Sequence, residues 1–415
     1  ERPARGVGIE LVVAIAGRVA GMLKLFYIFT FALIALLAAA LIYKQRLPSL
    51  TTTTWGGATG LAALILVPLL IVNSNLNIIL ADIIYKQAEP YEKQGMSLRT
   101  ATDPQQRQLL AASWQAAVTL HEQALSLAPN EDYYYLFLGR AYLELATALD
   151  DPAAQDRLLE TARDKLLLAQ RINPLNTDHA ANLGRLHRRW ADLLSLRAGQ
   201  YEQQARQAEA ADARRLASEK AEEADRHYRL STTLSPHNAL LWNEWASLRW
   251  GNFRDFEGAL ARYQRSLEID PAYDQTYLAL TSLYYERAQA TTNREEKLQY
   301  YQQLVPYGEK AVQLNPTLAR AWDNLSVAYV ELGRCQQGIT ATQTLLSLIS
   351  EHEPTIWNAH RNLAISLRDC GRYQEALSEA QKAYDLAPDS QRPLLQELIN
   401  DVRSRMGAAS STQTP

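Results

Sequence analysis

The sequence predicts an all-α chain: two transmembrane helices followed by an α-solenoid of about six helix pairs with a capping helix. Three observations carry this expectation. Two long uncharged runs lie between residues 25 and 81. A pattern of small, large and small residues closed by a proline recurs from residue 110 onward. Helix formers (Ala, Leu, Gln, Glu, Arg) dominate after residue 80, and strand-like alternation is hard to find.

Residues 1–24 carry the apolar stretch 7–23, interrupted by Glu10 and Arg18, which reads as an interfacial segment. Residues 25–43 are uncharged between Lys24 and Lys44, long enough to cross roughly 30 Å of hydrocarbon at ~1.5 Å per residue. A second charge-free stretch runs from Leu47 to Ala81, most apolar over Leu61–Val72, with Pro68 tolerated if neighbours satisfy the freed carbonyl. Arg2, Arg5, Arg18, Lys24, Lys86, Lys93 and Arg99 flank the pair of spans, whereas only Lys44 and Arg46 lie between them. That bias places both ends, and the solenoid, on the cytoplasmic side of the membrane.

The repeat occupies residues 82–406, and the tail 407–415 reads as disordered. The second helix of each pair carries Ala117-His121-Ala124-Pro129, Ala162-Leu166-Ala169-Pro174, Ala224-Tyr228-Ser231-Pro236, Ala259-Tyr263-Ser266-Pro271, Leu304-Gly308-Ala311-Pro316 and Ala376-Ala380-Ala383-Pro388. Small residues let helices approach, and the proline cannot continue a helix. The first helix pairs a large apolar residue with a small one, often between aromatics: Tyr135, Leu138-Gly139, Tyr142; Leu183-Gly184; Trp242, Trp245-Ala246; Tyr277, Leu280-Thr281, Tyr284; Trp322, Leu325-Ser326, Tyr329; Leu363-Ala364. A departing copy places Gly338, Thr342 and Leu345 at the second-helix positions. Residues 390–406 read as the cap over the last apolar face.

These two signatures in fixed order resemble the tetratricopeptide repeat (TPR), with the 12-residue spacing from Ala364 to Ala376 matching an uninterrupted copy. Against that spacing, Gly184 to Ala224 is 40 residues, an excess of 28. The excess reads as a long helical hairpin at about 195–230, each helix lengthened by ~21 Å. The resemblance implies partner binding in a concave groove lined by first helices. It points to Asn182, Asn324 and Asn362 as side chains that grip a peptide backbone, since an amide donates and accepts together. Arg185, Arg188 and Arg189 accompany Asn182, Arg320 precedes Asn324, and Arg361 and Arg368 flank Asn362. An arginine-lined groove favours an acidic protein or peptide. Trp242, Trp245 and Trp250 read as packing.

The join 73–95 (NSNLNIILADIIYKQAEPYEKQG) resembles the C-terminal portion of bacterial O-antigen ligase/polymerase-like membrane proteins. That resemblance implies the bacterial inner membrane, and a non-catalytic region of a longer glycan-transferring polypeptide, consistent with a start at Glu1. Three functions therefore stand: a membrane-anchored interaction scaffold, this glycan-transfer region, or a structural subunit of a large membrane complex.

Composition sets the remaining bounds. At 415 residues and 47% hydrophobic content the chain is too long for one ordinary compact domain. A net charge of -3 gives no signal for nucleic acid. The seven histidines are scattered, with no HExxH, no paired Cys/His spacing and no glycine-rich phosphate loop. No metal, cofactor or catalysis within this chain is expected. Cys335 and Cys370 lie at the turns of neighbouring pairs, 35 residues apart. Two free thiols are expected, and a disulfide in their place argues for an extracytoplasmic solenoid.

Overall fold

The computed structural model describes residues 9–42, 62, 66, 69, 70 and 75–411. Among them the regular elements are all α-helices. Two compact units divide the chain, Glu1–Leu234 and Ser235–Pro415. The first contains α1 (Ile9–Ile42), α2 (75–86), α3 (Glu89–Ser97), α4 (Pro104–Leu127), α5 (Asp132–Ala148), α6 (Pro152–Ile172), α7 (Thr177–Gln203) and α8 (Gln207–Leu234). The second contains α9 (Ala239–Phe253), α10 (Phe256–Ile269), α11 (Asp274–Ala290), α12 (Arg294–Leu314), α13 (Ala319–Glu331), α14 (Cys335–Leu348), α15 (Ile356–Asp369), α16 (Tyr373–Leu386) and α17 (Arg392–Ser411).

The expected pair of transmembrane helices is corrected here. Among the described residues no helix is long and apolar enough to cross a membrane. The first of these helices, α1, carries Glu10, Arg18 and Lys24 along its first half. Of the second stretch, continuous helix is described only from residue 75, and that helix carries Asp82 and Lys86, paired at 2.7 Å. The reading of an integral membrane protein with a cytoplasmic solenoid loses its basis with these spans. Most of residues 43–74, and the tail 412–415, lie outside the described residues.

Helix boundaries follow from capping. Asp103, Asp151, Asn176, Asn238, Asp255 and Asn293 each accept a backbone N–H one turn into the helix they open. Helices end where the closing Pro174, Pro271 and Pro316 follow the C-caps Asn173, Asp270 and Asn315. The first-helix aromatics satisfy these turns. Trp242 and Trp322 donate from Nε1 to the carbonyls of Pro236 and Pro316 at 3.0 and 2.9 Å, and Tyr277 donates from its hydroxyl to that of Pro271 at 3.1 Å. An aromatic donor six residues after each proline thus occupies a carbonyl that the broken helix leaves without an intrahelical partner.

The recurring small residues are the packing seams. Ala117, Ala162, Ala169, Ala224, Ala259, Ala311, Ala376 and Ala380 are fully buried. At Gly139 on α5 an added Cβ would lie 2.6 Å from Leu166 Cγ on α6, so the backbone itself forms the contact surface. In the second unit consecutive helices pack on one another, and α9, α11, α13, α15 and α17 also touch in succession. First helices therefore form the tighter row, and this unit bends towards them. In the first unit α5 and α7 touch in the same way.

Candidate functional site

The row of first helices in the second unit presents a polar surface. Asn324 and Asn362 are buried on α13 and α15. Asn324 Nδ2 donates to Ser282 Oγ on α11 at 3.4 Å, and Asn362 Nδ2 donates to Ser326 Oγ on α13 at 3.3 Å. Each amide thus braces its helix against the preceding first helix and sits at the floor of the face. Tyr285, Arg320 and Asp323 lie above that floor: the tyrosine on α11 is within electrostatic reach of both charged groups on α13.

A cavity of about 400 Å³ opens beside them, lined by Arg320 and Asp323 of α13, Leu345 of α14, Glu353 of the following turn, and Asn358 and Ala359 of α15. The Asp323 carboxyl is pushed up from the ordinary carboxylate range by burial, and the Arg320 guanidinium only partly offsets this. Arg361 is half-buried at the edge of the face, where its Nη1 reaches Asn358 Oδ1 and Asn362 Oδ1 at 3.5 Å each. Burial pulls its pKa down, and distant Glu331 pulls it back. Glu331 is itself held by Arg294 at 2.5 Å. Among the described residues no carboxylate pairs with Arg361 or Arg320. A desolvated guanidinium in this state is stabilised by any carboxylate brought to it.

The expected site residues divide between the two units. Arg320, Asn324, Arg361 and Asn362 share the surface just described. Arg368, on the same helix as Asn362, is taken up by Asp369 at 2.8 Å and by Asp401 of α17 at 2.9 Å, where it fixes the cap. Asn182, Arg185 and Arg189 lie on α7 in the first unit. Asn182 is buried and donates to the Asp178 carbonyl one turn back at 2.7 Å. Arg189 is half-buried, with its Nε enclosed and without a hydrogen-bond partner.

Sequence reasoning missed Asp323 and Asn358. Both precede residues it singled out, but their lining of a cavity depends on how α14 and its following turn close over α13. It also missed a cluster in the first unit, where His187 on α7 meets Glu223 and His227 on α8. The Glu-x-x-x-His spacing was visible on one helix face, but the third member lies 40 residues before His227 in sequence.

The two cysteines, expected as thiols, are joined as a disulfide with Cα atoms 5.6 Å apart. Gly333 and Gly371, at φ of 67° and 77°, make the left-handed turns that bring the start of α14 beside the end of α15.

The sequence matches no family model and no curated protein. The resemblance of the join 73–95 to O-antigen ligase/polymerase-like proteins thus finds no support there. Solved structures similar to this chain include a thermophilic TPR protein from Thermus thermophilus, 18% identical over 52% of this chain and 98% of that one, with a TM-score of 0.29. YrrB, described as a TPR protein with an unusual peptide-binding site, is 16% identical over 56% and 97%, with a TM-score of 0.40. PilF of Pseudomonas aeruginosa is 15% identical over 65% and 97%, with a TM-score of 0.41. Each shares fewer than one residue in five with this chain.

Proposed function

We propose that this chain is a protein-interaction scaffold and that the α11/α13/α15 face of its second unit takes an acidic peptide segment. One observation carries the reading: Arg361 is half-buried at the edge of an open polar face, and among the described residues no carboxylate is ion-paired with it. Arg320, on α13, adds a second guanidinium at the cavity. The amide of Asn358 supplies both a donor and an acceptor for a peptide backbone lying between them. Asp323, at the cavity wall, favours a bound N–H over a second carboxylate, so the acidic groups of the partner fall on the Arg361 side.

The test is binding of arrayed acidic, neutral and basic decapeptides to the full chain, followed by titration of the strongest. Acidic peptides are expected to bind preferentially, and less tightly as salt rises, since partly exposed ion pairs are screened. Arg361→Ala should weaken that binding by about tenfold or more, the ~1.5–3 kcal/mol of a charge-assisted contact. Equal affinity for the three peptide classes, or an unchanged affinity in R361A with helicity intact, would refute the proposal.

A further inference from the structure

We infer that the α7/α8 hairpin carries a binding site for a divalent transition-metal ion of the zinc class, formed by His187, Glu223 and His227. One ligand atom from each residue lies within 4.8 Å of the other two. Glu223 and His227 are one helical turn apart on α8 and share a face. His187 faces them from α7, its ring 5.5 Å from that of His227 and inclined by only 5°. Two imidazoles and a carboxylate are a known donor set for zinc, with the fourth tetrahedral position left to water or another donor. Around such an ion, at ~2.0–2.2 Å from each ligand, donors stand about 3.4 Å apart. The cluster therefore needs to close by little more than an ångström, with the two near-parallel rings turning so that both in-plane nitrogen lone pairs meet the ion.

The chemical state of the ligands suits a metal. His187 is 96% buried by accessible area, and its Nδ1 is enclosed without a hydrogen-bond partner. His121 and His179 share an enclosed, unpartnered Nδ1, but each holds a carboxylate through Nε2 at 2.7 Å, from Glu92 and Asp132. Burial, then His227, Lys220, Arg163 and Arg226, lower the His187 pKa to about 3. Burial also lowers that of His227, against the attraction of Glu223. Both rings are thus neutral at pH 7, the form that binds a metal.

The surrounding cations oppose an arriving cation, but two are already engaged. Lys220 sits over the Trp190 ring at 3.9 Å, and Arg163 is paired with Asp164 at 2.9 Å. Arg226 holds Glu223 at 2.6 Å from an exposed position, so the ion displaces a solvated guanidinium. Metal binding then clamps α7 to α8 nearer the base of the hairpin than its tip.

The experiment is calorimetric titration of the metal-free full chain with Zn²⁺, repeated on Glu223→Gln and His227→Gln. Wild type should bind one equivalent saturably. Each substitution should weaken binding by at least the ~10-fold that loss of even an outer-shell partner costs. Zn²⁺ at a concentration near the wild-type Kd should raise the melting temperature of wild type more than that of E223Q. Glu223 is partly exposed, so E223Q keeps the fold even if H227Q loosens the hairpin. No saturable one-equivalent binding by wild type overturns the proposal. So does binding that persists unchanged in E223Q, because such binding belongs to other surface histidines.

Discussion

Individual side chains here serve the seams between helices before they serve a surface. Asn324 and Asn362 hold serines on the preceding first helix, which makes them braces as much as contacts for a partner. The small residues of the repeat show the same priority. Gly139 has fully buried Leu166 where a methyl group would be, and the Ala162 carbonyl stands 3.2 Å from that point. Gly139→Ala gains up to ~1 kcal/mol of helix propensity. It also overpacks a closed seam at a cost of about 1–3 kcal/mol. The expected outcome is net destabilisation, read as a lower melting temperature with unchanged peptide binding by the second unit. These positions were legible in the sequence because the requirement for a small residue is local and repeats. Arg368 was not, because its partner Asp401 lies on the capping helix, 33 residues away.

At the scale of elements, the hairpin and the disulfide respond to different solution conditions, pH and redox state. His187 is neutral in the fold and has its ordinary pKa near 6.5 in the unfolded chain. As pH falls below about 6.5 the unfolded state takes up a proton that the folded state refuses until about pH 3. Unfolding is therefore favoured progressively through that window, by up to ~1.4 kcal/mol per pH unit, while above pH 7 the histidine has no effect. Urea unfolding followed at pH 7 and pH 5 should show this loss, and His187→Gln should flatten it. The Cys335–Cys370 bridge closes a loop of 35 residues, worth about 4 kcal/mol if it acts by restricting the unfolded chain. Reduction should lower the unfolding free energy from urea titration by that order, and alkylation before reduction should label neither cysteine. Disulfides persist in oxidising compartments, which is the opposite setting from the one expected from the basic residues around 25–81. The sequence could not decide this bond: a 35-residue spacing brings the two turns near each other, but the left-handed glycine turns set the final distance.

For the whole molecule, the helix pairs were legible because two signatures recur in fixed order and each has a physical cause. Small residues form the seams, prolines end helices, and aromatics occupy the proline carbonyls. The two transmembrane helices rested on runs of uncharged residues alone, and the described helices do not reach the length and apolarity such spans need. The candidate site was legible only in part. Arginine and asparagine positions followed from the repeat, whereas the cavity beside Asp323 arises from packing among three helices and the turn carrying Glu353. The central claim is that an acidic segment docks on the first-helix face of the second unit. Hydrogen exchange of the full chain, with and without the strongest-binding acidic peptide, tests it most directly. Slowed exchange is expected to concentrate in α13, α15 and the turn between α14 and α15. Protection confined to the second helices α10, α12 and α16, or to the first unit, would contradict it.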